Sequence, residues 1–191
     1  MSVLRPGWFA ACCLVAGISL AAVSWATSLV PQTTRDLVGG SSDIVIGTVA
    51  ATRSYWNPAH THIYTVVSFD VSESLAGAPV GQLTLTQFGG ELDGMRVTVP
   101  GGPLFLPGQE SLLFVWRDSQ GHAQVNGLAM GKFDVRRDVE TGERLVQRTI
   151  PGLAVRDIRS LRTLTVGELK PRLRLDDLVR EIRHDLEGRG R

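Results

Sequence analysis

Two histidines two residues apart, His60 and His62, are the pair in this chain best spaced to share a metal ion, since alternate side chains of a strand leave the same face. Two imidazoles do not complete a site. The nearest acids along that stretch, Asp70 and Glu73, begin 8 residues beyond His62, roughly 26 Å at strand rise. Only a neighbouring strand, through His122, could finish the coordination shell. The pair therefore reads as a solvated loop edge, with no metal and no cofactor assigned.

Tyr55, Trp56 and Tyr64 lie beside those histidines in what would be the first barrel loop. Tyr and Trp are favoured at recognition surfaces, and small barrels commonly place ligands at such a loop. The same aromatic types also cover the mouth of a barrel, so both roles stay open. Tyr55, Trp56, His60, His62 and Tyr64 together form the candidate ligand or partner surface. Elsewhere, Gly89-Gly90-Glu91-Leu92-Asp93-Gly94 is the nearest approach to a phosphate cradle, but it leads into a strand where a cradle needs a helix N-terminus. It reads as a hairpin with a bulge. Glu91 or Asp93 could serve as a base only with a positioned partner, and the sequence offers none. No His-Glu-x-x-His, Gly-x-Ser-x-Gly, Walker or dinucleotide signature occurs after residue 26. No catalytic residue is assigned.

The elements that must position these residues are mostly strands. Thr33 or Thr34 caps a short helix through Leu37 and Val38 that stops at Gly39-Gly40. Ile44-Val45-Ile46-Gly47-Thr48-Val49 reads as a strand buried on both sides, with Gly47 marking a bend or a close backbone approach. Ile63, Thr65, Val67, Phe69 and Val71 share one face of a second strand. Leu83, Leu85 and Gln87 alternate with Thr84, Thr86 and Phe88 in a third, and Leu75 to Pro79 turns the chain between them. Asp93-Gly94 signals a tight hairpin with Met95 to Val99 returning. Pro107-Gly108 suits a type II turn before Ser111 to Trp116. His122 to Asn126 follows, and Lys132 to Val139 is expected to pair with Arg144 to Ile150. About seven short strands at this spacing predict a mainly β fold, a sandwich or a small closed or partly open barrel, of which the barrel is the expected one. Beyond Pro151, Thr165 to Glu168 has capping-box spacing. Leu175, Leu178, Val179, Ile182 and Leu186 make the apolar stripe of a C-terminal amphipathic helix that docks on the barrel. Asp177, Glu181 and Asp185 on its polar face argue against a membrane-surface helix.

The first 26 residues read as a secretory signal: Arg5, an apolar run from Trp8 to Val23, then Ser24-Trp25-Ala26 with cleavage before Thr27. An uncleaved anchor and a lipoprotein acylated at Cys12 are the rival readings. The domain organisation is thus 1–26 signal, 27–150 barrel and 151–191 helical tail. Both cysteines, Cys12 and Cys13, leave with the signal, so the mature chain has no disulfide. That suggests a bacterial export route and a periplasmic or extracellular destination. Removing Arg5 takes the basic count from 20 to 19 against 19 acids, a net charge of zero, which gives no general attraction to nucleic acid. A composition 43% hydrophobic and 20% charged belongs to a chain that buries a core. No membrane span is expected after cleavage.

One resemblance follows from the order of these features. Ser42-Asp43 leading into Ile44 to Val49, Glu73-Ser74-Leu75-Ala76-Gly77, Gly89-Gly90, and Pro107-Gly108 ahead of Leu112-Leu113-Phe114 resemble a group of uncharacterised exported bacterial proteins. Over about residues 33 to 138 the layout also resembles, more distantly, the netrin-type barrel of the tissue inhibitors of metalloproteinases, an OB-fold relative. That likeness implies an exported protease as partner. The inhibitors' own device, an N-terminal cysteine that binds the protease zinc, has no counterpart in a mature chain that starts at Thr27 without cysteine. The expected function is an exported, non-enzymatic binding or interaction domain. Inhibition of an exported metalloprotease is the alternative, and a hydrolase with dispersed catalytic residues comes third.

Overall fold

The computed structural model describes residues 31–77, 81–150, 155–156, 163–164 and 173–189. The signal and its cleavage point, the Ala78-Pro79 end of the second turn and the Thr165 to Glu168 capping box lie outside them. In chain order the elements are α1 (Thr34–Gly40), β1 (Asp43–Trp56), β2 (Ile63–Ala76), β3 (Gln82–Phe88), β4 (Gly90–Leu92), β5 (Met95–Val97) and β6 (Glu110–Arg117). Then come β7 (Ala123–Val125), a 3-10 turn (Leu128–Gly131), β8 (Lys132–Arg137), β9 (Arg144–Gln147), β10 (Val155–Arg156), β11 (Thr163–Leu164), β12 (Leu173–Arg174) and α2 (Leu175–Arg189).

Five strands close on themselves in the order β1-β2-β3-β7-β6, with β6 returning to pair with β1. Every seam is antiparallel except β3 with β7, which meet in parallel through Leu85 and Ala123. This is a small closed barrel, the second of the two architectures that the strand spacing leaves open. From β6 the sheet runs off the barrel through β8, β9 and β12. Closing five strands demands strong coiling, and β1 supplies it with three register shifts against β2, at Ile44/Val45, Ile46/Gly47 and Val49/Ala51. Gly47 sits at one of them. A Cβ there would lie 2.1 Å from the Asp70 carbonyl oxygen and 2.8 Å from the Phe69 ring, so the close approach expected of this glycine is real.

Two apolar cores share β1 and β6. Val45, Val49, Leu113 and Val115 face into the barrel with Val67, Phe69, Leu83 and Leu85. Ile44, Ile46, Leu112 and Phe114 face outward, where Leu37 and Val38 of α1 and Leu175, Leu178, Val179 and Ile182 of α2 cover them. Burial on both sides is why these two strands read as unbroken apolar runs rather than alternating ones. α1 starts at a capping box, Thr33 accepting from the Asp36 N–H at 3.1 Å while the Asp36 carboxylate accepts from the Thr33 N–H at 3.0 Å. The α2 stripe docks as expected. Among the described residues no helix is long and apolar enough to cross a membrane.

Candidate functional site

Tyr55 and Trp56 do not lie in a loop. β1 continues to Trp56 and β2 begins at Ile63, so the predicted break at Tyr55 is a strand end and only Asn57 to His62 form the connection. Asn57 locks that connection: its side-chain carbonyl accepts from the N–H groups of Thr61 and His62 at 2.8 and 3.0 Å, and its backbone carbonyl accepts from the His60 N–H at 2.8 Å. His60 takes a left-handed conformation, φ 53°, within this turn.

Register then sorts the five candidate residues onto two sides. Tyr55 opposes Tyr64, and Tyr64 opposes Phe88, so one row crosses the outer surface of β1, β2 and β3. Tyr55 and Tyr64 stack with ring centres 6.0 Å apart, and Phe88 meets Tyr64 edge-on at 5.5 Å. His62 leans on Phe88 at 5.5 Å and extends the row toward the loop. Tyr55 is 37% exposed and Phe88 45%, large values for aromatic rings in mutual contact. Nothing in the composition singled out Phe88. Its one signal was its place in the alternation of β3, on the face of Thr84 and Thr86 and opposite the buried Leu83 and Leu85.

Trp56 and His60 belong to the other side. The Trp56 indole N–H donates to Asp93 Oδ2 at 2.9 Å and its ring stacks against His60 at 6.0 Å. Asp93 and Gly94, φ 52° and 73°, make the tight β4–β5 turn that the sequence predicts. Next to it Ser54 Oγ and Thr65 Oγ1 lie 3.0 Å apart, and Thr65 donates to the Gly89 carbonyl at 2.7 Å. A Cβ on Gly90 would fall 2.3 Å from Thr65 Oγ1, so the β4–β5 hairpin lies directly on this inner side. Trp56 is thus a covering residue tied to the hairpin. His60 and His62 contact rings on opposite sides and do not point together, which corrects the shared-face reading of the pair. His122 is occupied by Asp118, Nδ1 to Oδ2 at 3.0 Å. Against the opposing effect of desolvation, that ring and the N–H groups of His122 and Gln120 hold the Asp118 carboxyl below its ordinary value. Among the described residues, no three His, Cys, Asp or Glu side chains gather as a metal site would require.

Glu91 is paired with Arg96, Nε to Oε2 at 2.9 Å, on the exposed β4–β5 hairpin. The buried polar groups cluster elsewhere. Lys132 and Asp134, neighbours on one face of β8, pair with each other. Lys132 also donates to Gln109 at 3.2 Å, and Asp134 accepts from the Thr149 hydroxyl at 2.8 Å. Burial pushes the Lys132 ammonium below the ordinary lysine value against the opposing pull of Asp134. Arg148 stacks on Phe133 at 4.3 Å, and burial brings it down to about 10 against the attraction of Glu181. A shallow depression of about 200 Å³ lies on the β8–β9 hairpin, lined by Arg136, Asp138, Leu145 and Gln147 among others, and includes none of the aromatic residues. Comparison with family models, curated proteins and solved structures returns no match.

Proposed function

We propose that this chain is an exported, non-enzymatic binding module, acting in the periplasm or outside the cell, and that it binds through the outer face of β1, β2 and β3. The observation that carries the reading is the row Tyr55–Tyr64–Phe88, three rings in contact on three hydrogen-bonded strands and partly open to solvent, extended by His62 from the connection. Rings in contact on a rigid sheet meet a ligand with little ordering to lose, which is what a recognition surface needs. The face is that of the second and third strands of the barrel beside the first connection, the place where barrels of the OB type, which the layout resembles, bind oligomeric ligands. The N-terminal segment through Ala26 supports the export half of the reading.

The test does not require the ligand to be known. A tagged mature chain is applied to printed glycan and peptide arrays beside the Tyr64→Ala/Phe88→Ala double variant, with circular dichroism confirming that both are folded. Signals on at least one class of feature that fall about tenfold or more in the variant are expected, as each lost aromatic anchor removes on the order of 2 kcal/mol. Identical patterns from the two proteins overturn the assignment of this face.

A further inference from the structure

β1 outruns its neighbour on one side. β2 pairs with it along nearly its whole length, but β6 accompanies it only from Asp43 to Thr48, and the last bonds on that side join Val49 to Gly108 and Gln109. From Ala50 to Trp56 that edge has no strand beside it and no backbone hydrogen bond among the described residues. The phase of the ladder shows which groups are left over. The Asn57 N–H donates to the His62 carbonyl, and bonded pairs recur at every second residue of an antiparallel ladder, so Tyr55, Arg53 and Ala51 direct their backbone groups at β2. Thr52, Ser54 and Trp56 aim theirs at the open edge. The Gly89 N–H donating to Ile63 agrees, since it turns Ile63 toward β3 and leaves Tyr64 to β1. Val49 bonds on the β6 side, and the register shift at Val49/Ala51 moves the outward set from odd to even positions.

Unpaired donors and acceptors in strand conformation match one kind of ligand, another extended backbone, and natural edges are usually blunted against it by proline, charge or a covering loop. Ala50 to Arg53 are exposed, and the segment holds no proline. Its single charge, Arg53, has no ion pair or side-chain hydrogen bond among the described residues. A foreign strand would take the same backbone bonds, but it draws specificity from pockets for its alternate side chains. This edge presents Arg53 and Tyr55 instead, and a second copy answers them with Tyr55 and Arg53. Register decides the fit. Set antiparallel about a two-fold axis at Ser54, two copies oppose Thr52 to the partner's Trp56 and Ser54 to the partner's Ser54. Every outward group is then used, in about six backbone hydrogen bonds. Arg53 faces the partner's Tyr55 across a non-bonded pair, where side chains approach most closely, and a guanidinium over a tyrosine ring is attractive. An axis at Arg53 would oppose two like charges and leave Trp56 unbonded. One at Tyr55 would leave Thr52 unbonded.

We infer that the open edge of β1 pairs with the same edge of a second copy of this chain, antiparallel about Ser54, with each Arg53 against the other copy's Tyr55. The inference stands apart from the binding-face reading and would hold if that failed. A net charge of +1 puts little repulsion between copies. Five residues from each copy make a small interface, so the pairing is weak and depends on concentration. The two outer faces continue into each other across the axis, which sets the two aromatic rows side by side, about 7 Å out of line.

Sedimentation velocity of the full mature chain, from low micromolar to near millimolar concentration, is expected to show a monomer passing into a dimer. Amide exchange read residue by residue supplies the signature of the edge. The N–H groups of Thr52, Ser54 and Trp56 are expected to exchange freely in dilute solution and to become protected as the dimer forms, while those of Arg53 and Tyr55, bonded to β2, are protected throughout. Thr52→Pro removes a donor that β2 does not use, and it is expected to weaken the dimer about tenfold or more, one bond being lost on each side of the axis. Arg53→Glu leaves the backbone intact and is expected to weaken it several-fold; it carries the test if the proline variant fails the circular dichroism check of folding. A chain that stays monomeric at every concentration overturns the inference. So does a dimer that both variants leave unchanged and whose edge amides still exchange freely, since the copies would then meet elsewhere. Edge amides of a monomer that become protected only on adding an array-positive peptide would give the edge to a foreign strand and overturn self-pairing as well.

Discussion

Lys132 and Asp134 are the most constrained charges in the chain. At 4% and 3% exposed they pair on the inner side of β8, and Gln109 and Thr149 add one hydrogen bond to each. A buried pair of this kind contributes little net stability against an apolar replacement, because desolvation offsets the Coulombic gain, yet removing one member strands the other. Asp134→Ala is therefore expected to lower the unfolding free energy by about 3 to 5 kcal/mol, whereas Lys132→Met/Asp134→Leu stays within about 2 kcal/mol of the parent. Urea midpoints of the two variants measure this; a double variant as damaged as the single one would show that the network, not the stranded charge, is what matters. The sequence offers no hint of the pair. Lys132 and Asp134 were legible only as alternating residues of a strand, and their burial arises because β8 leaves β6 on the side packed by Phe105. His60 and His62 failed in the opposite sense: their spacing suggested a shared face, but a left-handed turn residue lies between the strands they flank. Side-chain direction is local where a strand is continuous and unreadable where a turn intervenes.

At the scale of elements, what chain-local chemistry determines was readable. The Thr33 cap, the stop at Gly39-Gly40, the Asp93-Gly94 turn and the Pro107-Gly108 turn, with Gly108 at φ 82° and Gln109 N–H donating to Leu106, each follow from residues within a few positions of one another. The α1 cap makes a pH-dependent prediction. The Thr33 hydroxyl, followed by the Thr33 N–H, donates to the Asp36 carboxylate and holds it below its ordinary 3.8. A carboxyl depressed in the folded state stabilises the fold above its unfolded value, and that contribution is lost as the pH falls through the folded value. Thr33→Ala is expected to lower stability by about 1 kcal/mol near neutral pH. The gap between variant and parent should then narrow below 3.8, as protonation removes the same interaction from the parent. Denaturant titrations in acid and at neutral pH follow it; a gap that stays constant through the acid range would mean the cap acts without the Asp36 charge. Long-range pairings were not readable. The parallel contact of β3 with β7 and the pairings of β6 with β8 and of β9 with β12 join residues far apart in the chain, whereas the β8–β9 pairing is local and was expected. Phe88 acquires Tyr64 as a neighbour only through the β2–β3 register.

The whole molecule is organised by two strands that serve two cores. β1 and β6 send Val45, Val49, Leu113 and Val115 inward and Ile44, Ile46, Leu112 and Phe114 outward. Neither core can dissolve without exposing one face of both strands, so the barrel and the α1–α2 layer should unfold together. The prediction is that Leu178→Ala, in the helical layer, and Leu85→Ala, in the barrel, each lower stability by about 2 to 5 kcal/mol, the cost of emptying a fully buried leucine site. In both variants, helical far-UV dichroism should be lost in the same transition as the fluorescence change of Trp56 and Trp116, the only tryptophans after residue 26. Those indoles sit on the barrel, Trp56 against the β4–β5 hairpin and Trp116 opposite Gln124 of β7. Fluorescence therefore reports barrel integrity and dichroism largely reports α2. If Leu178→Ala melts the helical signal while the tryptophans keep their folded emission, the helix is an appendage and the shared-strand account fails. If the two signals move together, the rings on β1–β3 stand on a scaffold that has no partly folded form in which they could be displaced, and their positions are as fixed as the barrel itself.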